Sequence, residues 1–148
     1  MRHLFLIAFL SLVHPVLADT SFNVAVEQRA ILKSGGWTPT GAHVERALVR
    51  IETFLRKHKS STERDKSAIA SILANKAGYR VQFLGLRKAG KNIIVCNFFP
   101  AQDPSKRDPF AYWKERQVGV DDGGFYFWQI EYDPAADTCR HFQSNGDA

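Results

Sequence analysis

Three ionisable side chains near the C-terminus, Glu131, Arg140 and His141, carry the chemistry needed to cleave a phosphodiester. A glutamate can take a proton from an attacking hydroxyl, and a histidine can return one to the leaving oxygen. An arginine can stabilise the charge that builds on the phosphorane. Their spacing argues against joint action. Arg140 and His141 are neighbours in a segment that reads as a strand, where successive side chains point to opposite faces. The sequence therefore predicts that one of them misses Glu131.

A second candidate is the polar, proline-containing excursion from Pro100 to Arg116. It carries Lys106, Arg107, Phe110, Tyr112 and Trp113, followed by Lys114 and Arg116. Long irregular connections in compact domains are often functional, and Trp, Tyr and Arg are the residue types that anchor interfaces. Lys106, Arg107, Phe110, Tyr112 and Trp113 are thus the expected binding residues. The competing expectation is that Phe110 and Trp113 tuck under the sheet edge.

Other chemistry-bearing residues read as structural. Asp121-Asp122-Gly123-Gly124 has too few oxygen ligands for a calcium loop, whereas Asp-Gly and Gly-Gly are preferred hairpin turns. His43 and His58 fall about four helical turns apart, too far to share a metal. Gly35-Gly36 is too short for a phosphate loop. Neither a metal nor an organic cofactor is expected. Cys96 and Cys139 are the two cysteines. An even, minimal count in an exported chain favours one disulfide, which would restrict the unfolded chain by about 4 kcal/mol. Bridged, neither is a nucleophile.

Export itself is read from the start of the chain. Met1-Arg2-His3 is a short positive opening, Leu4 to Val13 is apolar apart from Ser11, and Val16-Leu17-Ala18 suits a signal peptidase. Residues 1–18 therefore read as a signal peptide, too short to span a bilayer, which takes about 20 apolar residues. Cleavage would leave a single domain, 19–148, of about 130 residues, near the commonest domain size. The protein is expected in the periplasm or outside the cell. The whole chain has a formal charge of +5. Without Arg2 the balance is mild: compatible with an acidic partner but not a demand for nucleic acid.

These residues must be positioned by an α+β framework. Residues 19–37 are ambiguous between strand and helix. A helix is expected from about Pro39 to His58, with Thr38 as its cap. Val44, Ala47, Leu48, Ile51, Phe54 and Leu55 form one stripe. The basic Arg56-Lys57-His58-Lys59 reads as a solvated helix end that suits the dipole. A second helix is expected from Thr62 to Lys76. After Gly78 the period changes to two. Strands are expected at Tyr79–Phe83, Ile93–Phe99, Gln117–Val120, Phe125–Tyr132 and Thr138–Phe142. Lys88-Ala89-Gly90-Lys91 should form a hairpin turn, and Asp108 should cap a short helix from Pro109. Helices first and strands after predict two helices packed on one face of a four- or five-stranded antiparallel sheet.

From Tyr79 onward the chain resembles a set of small exported bacterial proteins without assigned activities. The resemblance lies in Tyr79-Arg80-Val81-Gln82-Phe83-Leu84-Gly85, Cys96-Asn97-Phe98-Phe99-Pro100, Trp113 and Val118-Gly119-Val120-Asp121-Asp122-Gly123-Gly124. Trp128, Tyr132-Asp133 and Asn145-Gly146-Asp147-Ala148 complete it. The architecture also resembles the cystatin-like class, a helix layer on an antiparallel sheet. Inhibitory cystatins use a Gln-x-Val-x-Gly hairpin and a Pro-Trp turn. Gln82-Phe83-Leu84-Gly85 is one residue short, and no Pro-Trp occurs, so the resemblance does not imply protease inhibition. Some small secreted ribonucleases are also basic, with helices before a sheet that supplies Glu, Arg and His. The residues around Glu131 carry no ribonuclease signature. The expected function is a non-enzymatic exported domain that binds a protein or an envelope polymer. The alternative is a ribonuclease-like hydrolase using Glu131, Arg140 and His141.

Overall fold

The computed structural model describes residues 21–33 and 36–146. The expected signal peptide, 1–18, lies outside the described residues.

The chain passes through a short 3-10 turn at Val26–Gln28 into strand β1, Arg29–Leu32. Helices α1 (Gly41–Lys57) and α2 (Glu63–Ala74) follow. Then come β2 (Tyr79–Lys88), β3 (Lys91–Pro100), β4 (Trp128–Asp133) and β5 (Thr138–Ser144). The five strands lie in sequence order in one sheet. The sheet is mixed, not purely antiparallel as expected: β1 runs parallel to β2, with Arg29 opposite Val81 and Leu32 opposite Leu84. The two helices are the reason. They form a crossover that returns the chain to the end where β1 began, as a parallel pair requires.

Helix α1 begins at Gly41, not Pro39, because its cap is Thr40. The Thr40 hydroxyl accepts the His43 amide at 3.3 Å, and His43 Nδ1 accepts the Thr40 amide at 3.1 Å. This reciprocal pair satisfies two amides that the first turn leaves open. Thr62 caps α2 by accepting the Asp65 amide at 3.1 Å. The hairpin between β2 and β3 turns at Ala89 (φ 47°) and Gly90 (φ 76°). Two left-handed residues in succession match the twist of the flanking strands.

Helix residues Val44, Ala47, Leu48, Ile51, Leu55, Ile69 and Ile72 pack on one face of the sheet. That face presents Tyr79, Val81 and Phe83 from β2, Ile94, Cys96 and Phe98 from β3, and Trp128, Ile130 and Tyr132 from β4. Phe98 and Trp128 stack in parallel, 3.8 Å between ring centroids. Trp37 closes one end of this layer, its indole N–H donating to the Leu86 carbonyl at 3.0 Å. Gly85 permits that approach, since a Cβ there would lie 2.1 Å from the Trp37 carbonyl oxygen.

The opposite face carries a second, smaller core of Phe99, Trp113 and Val118, with Phe110, Tyr112, Val120 and Phe127 against it. Residues 101–120 supply most of it by folding back over the sheet. They do so without the expected short helix at Pro109 or the strand at Gln117–Val120; the segment runs as turns and extended chain. Asp108 Oδ1 accepts the Phe110 amide at 2.9 Å, but no helix continues from it. The Val118 amide donates to Gln82 Oε1 at 2.9 Å instead of to a ladder partner. Without a strand before it, Asp121-Asp122-Gly123-Gly124 does not turn a hairpin. The Gly124 amide donates to the Gly146 carbonyl at 2.9 Å, and the chain enters a 3-10 turn at Gly124–Tyr126.

Candidate functional site

The two sequence-derived candidates share the sheet face turned away from the helices. On β4, Gln129, Glu131 and Asp133 alternate with the core residues Trp128, Ile130 and Tyr132, so Glu131 belongs to the outer face. Its carboxylate is held by three side chains, Lys88, Arg140 and His141. His141 Nδ1 lies 2.9 Å from Oε2, and Arg140 Nε lies 3.5 Å from the same oxygen. Lys88, from the end of β2, pairs with Oε1. Arg140 also reaches to 4.0 Å from Asp133.

Arg140 and His141 therefore do converge on Glu131, contrary to the expectation from alternation. The cause is a bulge in the β4–β5 ladder. Gln129 pairs with Gln143, but Glu131 pairs with Arg140, so β5 spends three residues where β4 spends two. His141 takes up the extra residue in the left-handed region, φ 53°. A bulge of this kind re-aims a side chain, and here it puts two neighbours on one side. Lys88 is the member that sequence reasoning missed. Its signal was present: an even step along β2 from Gln82 assigns Lys88 to the same face.

The cluster is arranged to hold charge more than to move protons. Burial pushes the Glu131 pKa up, but hydrogen bonds from Lys88 and His141 outweigh this, and the net shift is downward. Glu131 stays ionised and its oxygens are occupied. An in-line phosphodiester cleavage needs acid and base on opposite sides of the phosphorus. Glu131 and His141 are bonded directly to each other, so a phosphate would have to part them. The His141 side chain is 67% exposed, whereas Glu131 is buried beneath it.

The excursion is divided into an inner and an outer half. Trp113 is buried, 5.8 Å from the Phe99 ring, and Phe110 is half-buried, 5.7 Å from it. Tyr112 is half-buried under the Arg116 guanidinium, 4.0 Å from its ring centroid. Lys106 and Arg107 are exposed, Lys106 lying 3.4 Å from Asp103. The five expected binding residues thus do not share one surface: Trp113 faces the sheet, and Lys106 and Arg107 face solvent.

Two buried polar devices fix this segment. Gln82 Nε2 donates to the Trp113 carbonyl and, at 2.8 Å, to the Arg116 carbonyl. Asn97 Nδ2 donates to Gln82 Oε1 and to the Val118 carbonyl, both at 2.9 Å. Gln129 Nε2 extends the chain to Asn97 Oδ1 at 3.0 Å. The second device is Arg80, almost fully buried, which grips Asp108 with Nη1 at 2.6 Å and Nη2 at 3.0 Å. Its guanidinium also lies over the Phe99 ring at 4.8 Å. This pairing holds the Asp108 carboxyl below the usual range. An amide pair and an arginine inside apolar strands were the sequence signal for a covering segment, because buried polar groups require partners.

No bond joins Cys96 and Cys139 in this structure. They lie on β3 and β5, with β4 between them: Cys96 pairs with Ile130, and Cys139 with Tyr132.

No family model, curated protein or solved structure matches this chain. Among the described residues, no helix is long and apolar enough to cross a membrane.

Proposed function

We propose that this is an exported binding domain and not a hydrolase, and that its contact surface is the outer half of the 101–120 platform. The observation that carries this reading is the way the platform is clamped. Gln82, Asn97 and the Arg80–Asp108 pair hold the inner half from below. Lys106, Arg107, Lys114 and Arg116 are exposed on the outer half, with Tyr112 half-buried beside them. A loop fixed in advance loses little further entropy on binding. Asp108 is tied to Arg80, so Asp103 and Glu115 are the acids left to offset those four cations. The platform therefore suits an acidic protein surface or an anionic envelope polymer.

Affinity capture from envelope extract tests this reading. The purified chain is expected to retain a partner that Arg107→Glu/Arg116→Glu loses, with the melting curve unchanged. Retention of the same partner by the charge-reversed chain would sink the proposal.

The convergence of Lys88, Arg140 and His141 on Glu131 supports the hydrolytic alternative, acting on nucleic acid. For that reading, RNA hydrolysis must be measurable and must disappear in Glu131→Gln. The binding reading expects no hydrolysis from either protein.

A further inference from the structure

On the helix side of the sheet, a cavity of about 460 Å³ opens between the C-terminal half of α1 and the start of β5. Its volume falls in the range of small-molecule sites, about 300–1,000 Å³. Phe54, Thr53, Thr138 and Cys139 line it together with Arg50, Lys57, His58, Lys59 and Asp137, and the lining is mainly apolar. The Thr53 hydroxyl is already engaged, donating to the Val49 carbonyl at 3.1 Å. The His58 ring stacks on Phe54 at 4.6 Å.

The charge around this cavity is one-sided. Lys57, His58 and Lys59 are exposed at its edge, and among the described residues no carboxylate pairs with either lysine. Asp137 is the single acid in the lining and is already committed. It accepts from Arg46 Nε at 3.0 Å and from the Tyr132 hydroxyl at 2.9 Å, and it pairs with Arg50. Bonds from Arg50 and Arg46 hold its carboxyl well below the usual range. Burial pushes the Cys139 thiol up to about 12, so it is neutral at physiological pH. An apolar wall, a cationic edge and a neutralised acid together select a ligand with an anionic head and an apolar body.

We propose that this cavity binds a free amphipathic carboxylate, a single aliphatic or aromatic tail lying against Phe54 and Cys139 with its head at Lys57 and Lys59. The basic run 56–59, which reads in the sequence as a solvated helix end, then acts as the selective edge of a site.

Dodecanoate below its micelle concentration is the probe, with calorimetry for affinity and maleimide labelling of Cys139 for location. Expected are saturable one-to-one binding and a labelling rate at least tenfold slower at saturation. Dodecanol should protect at least tenfold less well, and Lys57→Glu/Lys59→Glu should weaken dodecanoate binding at least tenfold without moving the melting curve. Three results overturn the proposal: no heat and no protection, equal protection by dodecanol, or undiminished affinity in the charge-reversed chain. Protection by anionic phospholipid vesicles but not by monomeric dodecanoate also overturns it, since the face would then dock on a lipid surface.

Discussion

At the scale of single residues, His141 shows how one backbone angle decides a cluster. An L-residue in the left-handed region costs about 1–2 kcal/mol, and His141 occupies it at φ 53° while its ring bonds Glu131. His141→Gly relieves the angle and loses the bond, so its stability should stay within about 1 kcal/mol of the parent. His141→Val loses the bond and places a β-branched residue at that angle, which should cost about 2 kcal/mol or more. Urea midpoints of the two variants decide this, and equal losses would mean that the bulge is unstrained. Asp137 offers a test by pH. Its folded pKa is depressed by the two arginines, so its stabilising contribution is fully present above the unfolded value, about pH 4. That contribution is lost as pH falls through the lower folded value. The stability gap between the parent and Asp137→Asn should therefore hold from pH 7 to about 4 and narrow below it. A gap independent of pH would assign Asp137 no ionic role.

The elements separate into those built by local signals and one built by distant ones. The β2–β3 hairpin is local. Ala89 holds φ 47° beside Gly90, in a turn that favours Asn-Gly. Ala89→Asn should raise stability by about 0.5–1 kcal/mol in thermal unfolding, with no change in partner capture. The 101–120 segment is the distant case. It has no ladder of its own and depends on Gln82, on a strand well before it. Gln82→Leu leaves the Val118 amide and the Trp113 and Arg116 carbonyls without their partner. The loss should be about 3 kcal/mol or more, given a desolvation penalty near 1–3 kcal/mol for each of the three stranded groups. Limited proteolysis should then cut first between residues 101 and 120. Unaltered protection there would mean that the apolar contacts of Trp113 suffice.

At the scale of the whole molecule, the sheet is covered on both faces, by helices on one and by the platform on the other. Strand β3 lies at its centre and carries apolar residues toward both covers: Ile94, Cys96 and Phe98 to the helices, and Phe99 to the platform. The same order of strands governs the cysteines. Two ladder spacings separate β3 from β5, about 10 Å, whereas a disulfide spans Cα atoms no more than about 7 Å apart. Chain recovered from an oxidising compartment should titrate two thiols in denaturant. In the native state only Cys139, which is partly exposed, should react, and slowly, because its pKa is raised to about 12. A titre of zero would return the bridge expected from the cysteine count and would require β4 to be displaced.

The sequence by itself determined whatever rests on repeating local patterns. The apolar stripe of α1, the alternation in β2 and β4, the near-continuous apolar run of β3 and the Ala89-Gly90 turn are local patterns acting over a few residues. Tertiary structure decided what depends on segments far apart in the chain. β1 became parallel because two helices intervene, and 117–120 became a covering segment because Gln82 and Asn97 offer it partners. The bulge belongs with these. Alternation reads Arg140 and His141 as opposed, while the extra residue in β5 turns both toward Glu131. A period describes a strand only while its pairing stays regular, and the register that broke it here depends on residues the strand itself does not contain.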